Sequence, residues 1–192
     1  TTDELFAFAG LGSNPNLRPV KSQTYEVGIR LRPVGWVEVT TAYFLTDVRD
    51  DILFLPDPTG VTFGQNENAP ESRRQGVEAT ARLRPHPRVD LQLHYAYTDA
   101  RYRSETVLFG STINPGDRVA LVPLHRGYGR VTLRPFDGLE LGLDGLYVGK
   151  QVLLNNETNQ TSFRIQDSFV VNAQASYTWR HVTLFLHGMN LT

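Results

Sequence analysis

The sequence predicts an all-β protein: an antiparallel, up-and-down, membrane-spanning β-barrel wall. Three observations predict it. First, runs of alternating apolar and polar residues end four times in nearly the same way, at Leu31-Arg32-Pro33, Leu83-Arg84-Pro85, Leu133-Arg134-Pro135 and, more loosely, Trp179-Arg180-His181. From Arg32 to Arg84 is 52 residues, from Arg84 to Arg134 50, and from Arg134 to Arg180 46. After each stop a short connector leads into another alternating run, the pattern of long hairpins with tight turns at one end and long loops at the other. Second, several runs exceed ten residues, whereas strands of soluble proteins usually stop at about five or six. A tilted strand needs roughly 9–11 residues to cross the hydrocarbon layer. Third, apolar residues nowhere recur at three and four over a useful window, so no helix is expected.

Eight strands follow from this pattern, at about 24–32, 36–53, 73–84, 89–103, 117–134, 139–153, 163–179 and 182–192. In the first, Tyr25, Val27, Ile29 and Leu31 share one face and Glu26, Gly28, Arg30 and Arg32 the other. A period of two with this contrast means a strand with a different solvent on each side. In the second, Val37, Val39, Thr41, Tyr43 and Leu45 share a face; in the third, Val77, Ala79, Ala81 and Leu83 oppose Glu78, Thr80, Arg82 and Arg84. The fourth alternates most clearly, Val89, Leu91, Leu93, Tyr95 and Tyr97 against Asp90, Gln92, His94, Ala96 and Thr98. The fifth contains Pro123, which removes a ladder donor and predicts a bulge or an interruption. The sixth turns Leu139, Leu141, Leu143 and Tyr147 outward; the seventh sets Phe169, Val171, Ala173, Ala175, Tyr177 and Trp179 against Asn172, Gln174, Ser176 and Thr178. Loops rich in Gly, Pro and Asn are expected at about 55–72, 104–116 and 155–162, and tight turns at 33–35, 85–88, 135–138 and 180–181.

Composition excludes several function classes. The 192 residues carry a net charge of −1 with no basic stripe, so nothing favours nucleic acid as a partner. Cysteine is absent, which removes disulfide frameworks, thiolate metal sites and cysteine nucleophiles. No run of about 18 apolar residues exists, so no transmembrane helix is expected. The N-terminal Thr1-Thr2-Asp3-Glu4-Leu5 lacks the basic and apolar regions of a signal peptide. An outer-membrane protein needs one, so either its removal or a start inside a longer protein is expected.

No catalytic or metal constellation stands out. His86, His94, His125, His181 and His187 show no metal-ligand spacing, and no G-x-S-x-G is present. No cofactor or metal site is expected. Arg73-Arg74 beside Glu71, and Asp47, Arg49, Asp50 and Asp51, are charge clusters near the loop side. They read as solvated strand ends or as salt bridges to lipopolysaccharide through divalent ions; ligand recognition at an outer mouth is the alternative. Glu78, Arg82, Asp90, Gln92, His94, Arg130, Glu140, Asp144, Asn172 and Gln174 occupy non-apolar positions of the strands and are the candidates to line a wet lumen.

Several segments resemble the TonB-dependent outer-membrane receptors. Glu71-Ser72-Arg73-Arg74-Gln75-Gly76-Val77-Glu78 resembles that family's R-x-G-x-E segment, and Leu91 to Ala100 the strand that follows it. Arg118-Val119-Ala120-Leu121-Val122-Pro123-Leu124-His125 is similar to the family's next strand entry. Asn14-Pro15-Asn16-Leu17-Arg18-Pro19-Val20 with Tyr25-Glu26-Val27-Gly28 is similar to an upstream stretch, with valine at Val20 where glutamate is usual. Gly188-Met189-Asn190-Leu191-Thr192 resembles a penultimate strand. The resemblance implies about eight strands, late in a larger 22-stranded barrel whose plug domain and final strand are not in this sequence.

It also implies an outer-membrane receptor that imports a scarce nutrient, such as a ferric siderophore or other metal chelate. TonB, the protein's own plug domain, outer-membrane lipid and lipopolysaccharide would be its partners. The long loops and residues 1–20 would then face outside, the tight turns the periplasm, and the ten polar residues the plug. An eight-stranded arc with two bare edges is not expected to be stable alone. Three alternatives also fit the sequence: a soluble β-sandwich or lipocalin-like barrel, a small complete outer-membrane barrel with a structural or adhesive role, and an enzyme barrel.

Overall fold

The computed structural model describes residues 12, 14–55, 57, 59–61, 63–108, 111–154, 156, 158–159 and 164–192. Its main body is one eight-stranded antiparallel sheet in which every strand pairs with its neighbour in the chain. The strands are β1 (Lys21–Val34), β2 (Val37–Arg49), β3 (Ser72–His86), β4 (Val89–Tyr102), β5 (His125–Leu133), β6 (Leu139–Val148), β7 (Ser168–Trp179) and β8 (Val182–Gly188). β1 to β4 run 13 to 15 residues, beyond what a bilayer crossing requires.

The prolines of the repeated stop have a physical role. Pairing of β1 with β2 shifts register between Leu31 and Val34, around Pro33, and pairing of β3 with β4 shifts between Leu83 and His86, around Pro85. β5 ends at Leu133, two residues before Pro135. A proline cannot donate to the ladder, so each one breaks regular pairing just ahead of the turn. Gly138 then closes the turn between β5 and β6 at φ 88°, in the left-handed region, and its carbonyl accepts the Thr178 amide at 2.8 Å.

The strand limits differ from those expected at the loop end. The span 36–53 divides: β2 stops at Arg49, Asp50 takes a left-handed φ of 56°, and Ile52–Leu55 pairs instead with Gln65–Asn68. The expected loop at 55–72 therefore contains the second strand of a short hairpin. The span 117–134 becomes a strand only at His125, after Leu121 at φ 60° and Pro123. The span 139–153 ends at Val148, and Gln151–Val152 pairs with Arg164–Ile165 outside the wall. The span 163–179 thus begins in the wall only at Ser168, and the span 182–192 ends at Gly188 ahead of Asn190 at φ 53°. The expected loop 104–116 contains a hairpin, Thr106–Leu108 with Ser111–Ile113. Conversely, the spans 24–32 and 73–84 extend to Lys21–Val34 and Ser72–His86. Of the loop at 155–162 only Asn156, Thr158 and Asn159 are among the described residues, and Thr1–Leu11 and Ser13 of the N-terminal stretch lie outside them.

The apolar residues of the wall do not form a core. Val27 is 70% exposed, Ile29 53%, Leu143 50% and Leu184 68%, all on one face of the sheet. A soluble protein would bury such a surface, since each large apolar side chain gains about 1.5–3 kcal/mol on leaving water. The buried apolar cluster among the described residues sits at the loop end instead. There Ala69, Ala100, Tyr102, Ile113 and Val119 pack with Leu53 and Val122, so parts of the connections on either side pack against the top of β4.

Candidate functional site

Register decides which residues share a face, because side chains alternate with a period of two. The row through the middle of one face runs Glu38–Arg82–Gln92–Arg130–Asp144–Asn172 across six neighbouring strands. The next row toward the tight turns runs Asp90–Thr132–Gly142–Gln174–His187. The next toward the loops runs Arg30–Thr40–Thr80–His94–Tyr128–Leu146–Val170, followed by Gly28–Ala42–Glu78–Ala96–Arg126–Val148–Ser168. Glu140 lies opposite Ser176 on the same side. All ten candidate residues therefore share one polar face. Arg32, Glu38, Arg84, Arg126 and Tyr128 join them there; the same period of two was the signal that could have named them.

The contrast with the other face is sharp. Its rows read Ile29–Thr41–Ala79–Tyr95–Gly127–Tyr147–Phe169 and Leu31–Val39–Ala81–Leu93–Gly129–Gly145–Val171. On β7 this face is apolar from Phe169 to Trp179, ten residue steps, or about 33 Å along the strand. At a tilt of about 40° that projects to roughly 25 Å, the height of the lipid-facing band of an outer-membrane barrel. Aromatic rings mark both limits. Tyr95, hydrogen-bonded to His125 Nδ1 at 2.8 Å, lies with Tyr97 at the loop side; Tyr177 with Phe136 edge-on at 6.4 Å, and Trp179 under the Arg180 guanidinium, lie at the turn side.

Charge on the polar face is organised at the turn end and left open in the middle. Arg32 Nε donates to Glu38 at 2.7 Å, Arg84 Nε to Asp90 at 2.8 Å, and Arg134 Nη2 pairs with Glu140 at 2.8 Å. The arginine of each of the first three stops thus meets an acid six residues later, across its own turn. The fourth stop has Leu186 at that position, and Arg180 lies over the Trp179 ring instead. Asp90 is the hub: its carboxylate accepts from Arg84, Arg82 and Gln92 and is largely buried beneath them. Asp144 accepts from Asn172 at 2.8 Å, and His94 lies 5.9 Å from the Tyr128 ring. Among the described residues Arg130 has only the Thr132 hydroxyl, at 3.4 Å. Among the described residues Glu78, Arg126 and Arg130 have no ion-pair partner, so the middle of the polar face carries charges free to meet another surface.

The charges expected near the loop side divide between opposite faces of the sheet. Arg74 lies opposite Thr46 and Ala100 on the polar face and pairs with Asp51 at 3.0 Å, near Asp50 held by Arg18 at 2.7 Å. Arg73, between Asp47 and Arg101, points to the apolar side. Among the described residues no group of three or more His, Asp or Glu side chains is placed to hold a metal ion.

The motif glycine has a steric basis. A Cβ on Gly76 would run into the Tyr97 carbonyl oxygen and lie 3.0 Å from the Phe44 ring, so no other residue fits without backbone movement.

Comparison with known proteins gives this wall a family. Residues 1–191 match the family described as "TonB dependent receptor-like, beta-barrel". The chain is 31% identical over 193 residues to the ferrichrome outer membrane transporter/phage receptor of Escherichia coli (strain K12), covering 94% of this chain and 24% of that protein. The ferric-catecholate import receptor Fiu of E. coli K12 superposes with a TM-score of 0.67 at 19% identity, over 96% of this chain and 26% of the other. The ferric yersiniabactin uptake receptor FyuA of Yersinia pestis superposes with a TM-score of 0.68 at 20% identity, over 90% and 25%. The chain spans about a quarter of the length of these relatives, so its sheet corresponds to part of a barrel. It belongs to the TonB-dependent receptor β-barrel family.

Proposed function

We propose that this chain is part of the wall of a TonB-dependent transporter that imports a ferric siderophore or another metal chelate. As a member of the family it is an outer-membrane β-barrel protein. The family's matched members are receptors and transporters, and the relatives named above are named for iron chelates. In the proposed arrangement the apolar face meets lipid and the polar face lines the lumen against the protein's own plug domain. Glu78, Arg82, Asp90, Gln92, His94, Arg130, Glu140, Asp144, Asn172 and Gln174 line it, and Glu78, Arg126 and Arg130 supply its open charges. Ligand enters from the loop end, and TonB drives plug rearrangement from the turn end. The chain's role is transport rather than catalysis.

The observation that carries this reading is the family match over residues 1–191 on a wall whose two faces suit two solvents. The test is uptake of a panel of radiolabelled ferric chelates by iron-limited cells with and without the gene. One chelate class should be lost on deletion, restored by the full-length gene, and lost again when TonB is removed. Unchanged uptake of every metal chelate would overturn the proposal and favour a structural or adhesive barrel.

A further inference from the structure

Burial at the loop end of the wall is one-sided. The top row of the polar face is Val48–Ser72–Tyr102, and the row below it is Thr46–Arg74–Ala100. Val48, Ser72, Tyr102 and Ala100 are each 5% exposed or less. Their strand neighbours on the opposite face, Arg49, Arg73 and Arg101, keep 67%, 31% and 44% of their side chains exposed. Further down the polar face the cover is gone, and the Arg82 side chain is half exposed. The covering residues therefore lie over the polar face, at this end of it.

They come from two connections. Leu53, in the Ile52–Leu55 strand of the short hairpin, and Ala69, just past that hairpin, pack with Ile113 of the next connection against Ala100, Tyr102 and Val119. Polar ties hold the same pieces. The Ala69 amide donates to the Asp51 carbonyl at 2.6 Å, the Asp51 carboxylate takes Arg74 at 3.0 Å, and the Asn68 side chain donates to the Asp50 carbonyl at 2.9 Å. The bases of both connections thus bend toward the side of the sheet that carries the polar rows. The far part of the hairpin connection differs: Val61 and Phe63 are exposed to solvent.

Segments that open easily are those with few buried apolar contacts. Lifting these bases would return Ile113, Tyr102 and Ala100 to water, which disfavours opening.

We propose that Leu53, Ala69 and Ile113 pin the bases of the two connections over the lumen as a fixed roof, and that movement on ligand capture is confined to the hairpin tip around Val61 and Phe63. Arg74 and Asp51 then bind each other to hold the roof, and neither contacts an incoming ligand. The inference rests on the reading that the polar face lines the lumen, and it does not depend on which chelate is transported.

The test is amide hydrogen exchange of the full-length protein in non-ionic detergent, read by mass spectrometry. Wild-type amides of 52–55, 66–69 and 111–113 should exchange within about tenfold of those of 76–83 in β3, and those of Val61 and Phe63 at least about a thousandfold faster. Ile113→Ser should speed exchange at 52–55 and 66–69 by at least about a hundredfold and leave 76–83 unchanged. Ile113→Ala makes the same comparison if the serine variant fails to fold. Roof amides that exchange as fast as Val61 in the wild-type protein would overturn the proposal without any variant. A folded Ile113 variant with undiminished protection at 52–55 and 66–69 would overturn it as well. Whole-cell chelate uptake, which tests the transport reading, uses only the wild-type gene and its deletion, so the two proposals fail separately.

Discussion

Leu93 and Gln92 are consecutive residues of β4, yet their surroundings have nothing in common. Leu93 is 49% exposed in a row of aliphatic and small residues. Gln92 lies between Arg82 and Arg130 and donates to Asp90. The difference shows that the wall is stabilised in two ways. In the proposed arrangement the apolar face gains its free energy from contact with hydrocarbon, which needs no particular partner. The polar face depends on named pairs, and it is organised only where the pairs are, at the turn end. A substitution on one face should therefore be judged by depth in the membrane, and on the other by which partner is lost.

The largest expected effect breaks the apolar face. Leu93 is midway between Val89 and Tyr97 on the lipid side of β4, so Leu93→Arg should cost about 2–4 kcal/mol, whereas Gln92→Arg should be nearly neutral. Urea unfolding of the full-length protein from phospholipid bilayers measures both. Next comes Gly76→Val, which lies on the polar face and would be tolerated if polarity alone ruled there. The contact with the Tyr97 carbonyl forces the backbone to shift, and about 1–3 kcal/mol should be lost in the same assay.

Asp90→Asn should follow, at about 1–2 kcal/mol, because it leaves two guanidiniums without their shared charged acceptor. Both arginines are more than half exposed, which keeps the loss below that of a fully buried pair. Arg134→Ala should be smallest, under about 1 kcal/mol, since its pair with Glu140 is open to water. A larger loss for Arg134→Ala than for Asp90→Asn would show that burial does not rank these repeats.

Much of this wall was legible in the sequence because a two-solvent strand must alternate. The clearest strand, Val89 to Tyr97, and the three Leu-Arg-Pro stops were readable for that reason. The loop-end limits were not. Apolar residues continue past Arg49 into Ile52 and Leu53, and nothing in the composition says that Asp50 turns the chain left-handed. The Gln65–Asn68 strand is wholly polar and gives no alternation to detect. The ten polar candidates could be named from parity, but their pairing could not. The acid six residues beyond each of Arg32, Arg84 and Arg134 was in plain sight and acquires meaning only once the turn folds it back. Arg73 and Arg74 are adjacent in the sequence, and adjacency in a strand is what sends them to opposite faces.

If the apolar face meets lipid, odd-numbered residues of β4 face hydrocarbon and even-numbered ones do not. The chain has no cysteine, so single cysteines at Leu91, Gln92, Leu93, His94 and Tyr95 can each carry a spin label in the full-length protein, with any cysteines elsewhere replaced by serine. In bilayers, collision with molecular oxygen, which concentrates in lipid, should be high at Leu91, Leu93 and Tyr95 and low at Gln92 and His94. Oxygen collision that fails to alternate along these five positions, or that peaks at Gln92 and His94, would contradict the account.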